Sequence, residues 1–195
     1  MLVTDDRLVA GRDLIAMALS AERGGVTSVQ VRLKRANARE LVEAVRALTR
    51  VLRVPVLVND RPDVAIAAQA AGVHLGPDDL PVNLARRIAP AGFLIGASVG
   101  SDEEVSSAGA ADYWGIGPWR STPTKDAGAG LGAKGFSRLL REAAGRPAIA
   151  IGGITPDDVP TVLAEGGSGV AVAAGILGAG DVEAAARRYA KAGKW

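Results

Sequence analysis

Eight times along this chain a short run of Val, Ile, Leu and Ala gives way to a longer stretch of helical period rich in Ala and Arg. The short runs are LVT (2–4), VQVRL (29–33), PVLVN (55–59), GVHL (72–75), FLIGAS (93–98), DYWGIG (112–117), AIAIGG (148–153) and GVAVAA (169–174). Helices are predicted over 12–23, 37–53, 62–70, 83–89, 101–108, 134–143, 156–164 and 181–191. When every return to the sheet passes through a helix, the strands must run parallel. Eight such units with right-handed crossovers predict an α/β fold, a (β/α)8 TIM barrel in a single domain over 1–195. The 195 residues sit at the short end of the roughly 200 to 400 usual for that fold. A doubly wound open sheet is the other arrangement such alternation allows, but no GxGxxG turn follows the first strand. Aromatic residues are only 4% of the chain, so the core must be built from Ala, Val, Leu and Ile. Alanine-rich helices suit that core, because small side chains pack close to a sheet and Ala favours the helix.

Composition removes several classes of chemistry. There is no cysteine, which excludes disulfides, thiolate nucleophiles and zinc–sulfur sites. The single histidine, His74, excludes a His-rich metal site. The net charge of +2 is spread along the chain, so neither a nucleic-acid arm nor a membrane-binding basic block is expected. MLVTDDR reaches charge by residue 5, so no signal peptide is expected. The longest apolar run, GVAVAAGILGAG at 169–180, is too short and too rich in glycine to span a bilayer. The expectation is a cytoplasmic protein with small-molecule partners; its oligomeric state is not legible.

In a parallel barrel the active site lies at the C-terminal strand ends. In SVQVRLK (28–34), Val29, Val31 and Leu33 would face the helices and Gln30, Arg32 and Lys34 the lumen. Two cations in a dry lumen are costly unless paired, so an anion at the barrel top would explain them; a solvated edge strand would also alternate this way. Asp60 and Asp79 end adjacent strands, and two carboxylates that leave room for water and phosphate oxygens suit Mg²⁺. DRPD and PDDLP equally resemble helix starts. IGGITPDD (151–158) and GVAVAAGI (169–176) occupy the loops after strands 7 and 8, the usual phosphate cradle, though both could be plain tight turns. STPTK (121–125) lies in a long irregular stretch, 118–134, and offers hydroxyls and an ammonium to a phosphate, or a surface loop to solvent. His74 is expected as a hydrogen-bonded strand residue rather than a general base.

Taken in order, VQVRLK, VNDRPDVA, AGVHLGPDD, IGAS, AADYWGIGP, STPTK, IAIGGI and GVAVAAGI resemble the thiamine-phosphate synthases, from residue 2 to 176. The 19-residue separation of Asp60 and Asp79 is part of that match. The resemblance implies a Mg²⁺-dependent transferase of thiamine biosynthesis. It would join hydroxymethylpyrimidine pyrophosphate to a thiazole phosphate, giving thiamine phosphate and pyrophosphate. It implies that Gln30, Arg32, Lys34, Asn59, Ser98 and Lys125 hold the pyrimidine pyrophosphate, with Arg32, Lys34 and Lys125 catalytic. It also implies that Asp60 and Asp79 bind the metal, and that Thr122, Thr124, Gly153, Ala173 and Ala174 hold the thiazole phosphate. Three positions depart from the family pattern: Ala174 stands in place of a common Ser, Arg120 in place of an aromatic, and Gly100 in place of a His. The related thiazole tautomerases use that His in proton transfer and usually lack the TxTK loop, so Gly100 beside an intact STPTK favours the synthase. A non-catalytic barrel that binds phosphorylated ligands is the alternative from another class.

Overall fold

The structure, a computed structural model, describes residues 1–121 and 130–194. Its strands are β1 (Leu2–Val3), β2 (Val29–Val31), β3 (Val56–Asn59), β4 (Gly72–Leu75), β5 (Leu94–Val99), β6 (Tyr113–Ile116), β7 (Ala148–Ile151) and β8 (Gly169–Ala171). All pairs are parallel, in sequence order from β1 to β8. Leu2 bridges Val172 to close the ring, with Val3 N–H donating to Val172 O (2.9 Å) and Val172 N–H to Met1 O (3.0 Å). The barrel expected from the alternation is present and the open sheet is not.

The helices are α1 (Asp6–Val9), α2 (Leu14–Arg23), α3 (Ala38–Val51), α4 (Pro62–Ala67), α5 (Val82–Ile88), α6 (Asp102–Ala108), α7 (Gly132–Glu142), α8 (Val159–Ala164), α9 (Ala174–Leu177) and α10 (Val182–Gly193), with a 3₁₀ turn at Pro156–Asp158. Local chemistry starts several of them. Asn37 and Glu40 form a reciprocal capping box on α3, Asp13 caps α2, and Pro62 opens α4. The four-residue α1 and α9 were not expected. Five strands end sooner than the sequence suggests, β1 and β6 by one residue and three others by two or more. Leu33 lies beyond β2, Gly152 and Gly153 turn away from β7 with φ of +93° and +69°, and Ala174 begins α9.

Strand alternation sorts the side chains. Val29, Val31, Val56, Val58, Val73, Leu75, Ile95 and Ala97 join the apolar layer between sheet and helices, together with Met17, Val45 and Leu48. Gln30, Asn59, His74, Ser98 and Tyr113 turn the other way and bond to one another in the lumen. A cavity of about 280 Å³ lies at the opposite mouth, lined by Val26, Pro55, Leu57, Ile149, Val170 and Tyr189 among others; no expected site residue reaches it. Among the described residues no helix is long and apolar enough to cross a membrane.

Candidate active site

The lumen floor is a polar chain made possible by two glycines. His74 sits between Tyr113 OH (3.0 Å from Nδ1) and Ser98 Oγ (3.1 Å from Nε2). A Cβ on Gly96 would collide with the Tyr113 ring, and one on Gly115 would stand 2.9 Å from His74 Cε1. The two strands therefore give up side chains where the rings must fit. Burial pushes the Tyr113 phenol above its ordinary range, so it stays neutral. Beside this chain, Gln30 Nε2 donates to Asn59 Oδ1 at 2.8 Å. His74 is the strand residue the sequence suggested, hydrogen-bonded within the lumen.

Above the floor the cations are held from β1. Buried Thr4 takes the Arg32 N–H on its Oγ1 (2.7 Å) and donates to Arg32 O (3.2 Å). Arg32 Nη1 pairs with Asp5 Oδ2 at 3.3 Å, and Asp6 accepts the Lys34 and Arg35 N–H groups. Only Gln30 of the expected lumen row lies within β2. Arg32 and Lys34 project from the segment after it, and the Lys34 side chain is 55% exposed. Strand pairing ends at Val31, and beyond it Thr4 and Asp6 hold the backbone of Arg32, Lys34 and Arg35. The sequence places Thr4 and Asp5 among the polar residues at the first strand end but gives them no role, and Asp6 goes unread; what it does not show is that all three bind the segment after β2.

Asp60 and Asp79 come together at the same rim. Asp60 holds φ +65°, a conformation uncommon for a residue with a Cβ; its N–H donates to His74 O (2.8 Å) and its Oδ2 lies 3.2 Å from Lys34 Nζ. Asp79 Oδ2 accepts the Gly76 N–H at 2.6 Å. Burial pushes Asp79 up to about 6, with the adjacent Asp60 carboxyl adding to the rise and Lys34 opposing it. Two carboxylates this close repel and favour a cation between them. Among the described residues no cluster of three or more His, Asp or Glu could hold a metal. Asp60 and Asp79 are residues that could hold an ion that keeps water and substrate oxygens in its shell, as Mg²⁺ does.

Across the barrel, Gly153 is exposed at the end of β7, while Ala173 and Ala174 mark the turn into α9 after β8. Thr122, Thr124 and Lys125 lie outside the described residues. Arg120 is engaged with Asp158 rather than free, at 2.5 Å (Nη1–Oδ2) and 2.6 Å (Nη2–Oδ1). Gly100 has no room for a side chain, because a Cβ there would approach Gly117 O to 2.8 Å.

Comparison with known proteins shows a family. A family model described as thiamine monophosphate synthase matches residues 1–176. A thiamine-phosphate synthase of Methanospirillum hungatei JF-1 is 44% identical over 195 residues, covering 97% of this chain and 94% of the relative. One from Methanoculleus marisnigri is 47% identical over 192 residues, covering 95% and 90%. The solved thiamine phosphate pyrophosphorylase of Pyrococcus furiosus superposes with a TM-score of 0.87 at 39% identity, covering 99% of this chain and 94% of the other. Similarity of this extent, on a barrel whose rim gathers two carboxylates and two cations, means that the chain belongs to the thiamine monophosphate synthase family.

Proposed function

We propose that the chain condenses hydroxymethylpyrimidine pyrophosphate with 4-methyl-5-(2-phosphoethyl)thiazole, giving thiamine phosphate and pyrophosphate. The observation that carries this reading is the rim itself, with Asp60 and Asp79 side by side, Lys34 3.2 Å from Asp60, and Arg32, paired with Asp5, two residues before Lys34. That is a receptor for a pyrophosphate with its metal. The Gly152–Gly153 turn follows β7 across the barrel and would take the second phosphate.

The bond that breaks joins the pyrimidine methylene to a pyrophosphate oxygen, and the electron pair leaves with that oxygen. Arg32 and Lys34, with Lys125, would neutralise the departing charge, which is where fixed charges lower a barrier most. Mg²⁺ held by Asp60 and Asp79 would supply further charge neutralisation for the leaving group. Asp5 and Thr4 hold Arg32 in place before substrate arrives, so little reorganisation is needed. Gln30, Asn59 and Ser98 would orient the pyrimidine ring, whose amino group spreads the positive charge left on the methylene. The thiazole nitrogen then attacks with its lone pair. That nitrogen carries no proton, so no general base is required, in keeping with a chain that has one histidine and no cysteine.

A tautomerase reading needs a proton-transferring side chain at position 100, and the 2.8 Å approach to Gly117 O leaves no space for one. Both precursors, incubated with and without Mg²⁺, test the proposal. Thiamine phosphate formed only with the metal is expected. No product under either condition would favour the non-catalytic, ligand-binding barrel.

A further inference from the structure

The segment leaving β6 is fastened to the turn leaving β7. Trp119 N–H donates to Ile151 O (2.7 Å), Arg120 N–H to Gly152 O (2.9 Å), and Arg120 Nη1 to Gly153 O (2.8 Å), so three successive carbonyls are held from one side. The same guanidinium forks onto both oxygens of Asp158. Asp158 is only 8% exposed, and it also accepts from Trp119 Nε1 (3.2 Å) and from the Thr155 N–H and hydroxyl (2.7 Å each). The guanidinium is thus fixed at both ends, by the 3₁₀ turn beneath it and by the glycine turn beside it. In a trans peptide the N–H points opposite to the C=O. Holding Gly152 O and Gly153 O on the Arg120 side therefore aims the N–H groups of Gly153 and Ile154 away from it. Gly152 and Gly153, at φ +93° and +69°, have the conformational freedom to turn those peptides elsewhere if nothing held them.

We propose that Arg120 is a positioning residue for the thiazole phosphate, acting through the Gly152–Gly153 turn and held for that task by Asp158. The inference rests on the functional reading above, which assigns that turn to the nucleophile's phosphate. Arg120 acts by geometry and not as another cation on the ligand, because its charge is already met by Asp158. Two substitutions separate these roles. Arg120→Lys keeps the charge and loses the planar fork. Asp158→Asn releases the guanidinium charge and loosens its anchor.

Steady-state kinetics, with each substrate varied separately and a thermal melt beside each variant, test the proposal. Either substitution should raise KM for thiazole phosphate by roughly tenfold, the order expected when a hydrogen-bond donor to a charged group is misaimed. KM for the pyrimidine pyrophosphate should stay within about twofold, since every residue assigned to that site except Lys125 lies on β2 to β5 or just after them, and the double variant should be no worse than the poorer single. Arg120 is about half exposed (49%), so Arg120→Lys remains informative even if Asp158→Asn fails to fold. A tighter thiazole phosphate in Asp158→Asn would overturn the proposal in favour of direct charge contact. A lower melting temperature with no difference between the two KM values would reduce the pair to a structural staple and overturn it too. Absence of product from the unaltered chain would instead overturn the functional reading on which the inference stands.

Discussion

Asp60 carries both a charge and a strained backbone. A left-handed φ costs a residue with a Cβ on the order of 1–2 kcal/mol, and Asp60 N–H to His74 O holds it there. Asn tolerates that conformation as well as Asp, so Asp60→Asn removes the charge and leaves the turn. Asp79→Asn likewise keeps an oxygen for the Gly76 N–H. Each should lower Mg²⁺-dependent turnover by about 10²-fold or more, the size of losing one preorganised charge contact, while calorimetric binding of thiazole phosphate alone stays unchanged. Mg²⁺ should raise the melting temperature of the parent chain and of neither variant; a rise that persists in a variant would move the metal elsewhere. Ala174 raises the opposite question, because here a donor is missing. It is exposed at the first position of α9, so a hydroxyl can be added without repacking. A hydrogen bond to a charged acceptor is worth about 1.5–3 kcal/mol, less where water already serves. Ala174→Ser should therefore lower KM for thiazole phosphate by up to about tenfold, with the pyrimidine substrate unaffected. A change confined to the pyrimidine substrate would show that the two phosphate sites have been assigned in reverse.

At the scale of elements, the connection from β7 to α8 hangs on Asp158. The Arg120 guanidinium, and then the Thr155 N–H and hydroxyl, hold its carboxyl well below the usual range against the effect of burial. A depressed folded-state pKa stabilises the fold fully above the unfolded value of about 3.9 and loses that stabilisation as pH falls toward the folded one. Melting temperatures of parent and Asp158→Asn should differ by a constant amount between about pH 5 and 8, and the gap should shrink below about pH 4. A gap that widens on acidification would contradict this. None of that pairing could be read from the sequence, where Arg120 and Asp158 stand 38 residues apart. The strands and long helices were legible because burial imposes periods of two and 3.6 on them, whereas α1 and α9 are single turns too short to show a period. The carboxylates and cations were legible because they fall in the segments that leave the C-terminal ends of strands, Asp60 and Arg32 directly after them. The room that Gly96 and Gly115 leave for Tyr113 and His74 was not, because a glycine's purpose there is set by rings on the neighbouring strand. Gly152 and Gly153 were legible as a strand-to-helix joint, but counting them in the strand run as well left the end of β7 two residues too late, since they extend an apolar run in sequence and turn in space.

The barrel does its chemistry at one rim and is closed along one side, at a seam. That seam, between β8 and β1, has one bridge, Leu2 with Val172, so the helices outside it must help to keep the ring shut. There α2 and α10 lie together. Arg23 Nε pairs with Glu183 Oε2 at 2.9 Å, and a Cβ on Gly24 would stand 2.5 Å from Ala186 Cβ and 2.6 Å from Glu183 O. Gly24 has φ −75°, open to any residue, so it is glycine for closeness and not for backbone freedom. Two effects then oppose each other in Gly24→Ala. Helix propensity alone favours Ala by up to about 1 kcal/mol. Overpacking a close contact costs about 1–3 kcal/mol, and here one of the opposing atoms is backbone, which cannot swing aside. The net expectation is destabilisation, read as a lower denaturant midpoint, with faster hydrogen exchange at the Val3 and Val172 amides than elsewhere in the sheet. Gly11→Ala serves as the control. It carries φ +69° and meets nothing within 4 Å, so its cost is local strain and should leave exchange at the seam unchanged. Both variants should keep their KM values at moderate temperature, because neither residue belongs to the rim. If Gly24→Ala proves neutral or stabilising, the seam is held by its backbone bridge, and α10 is only a cover.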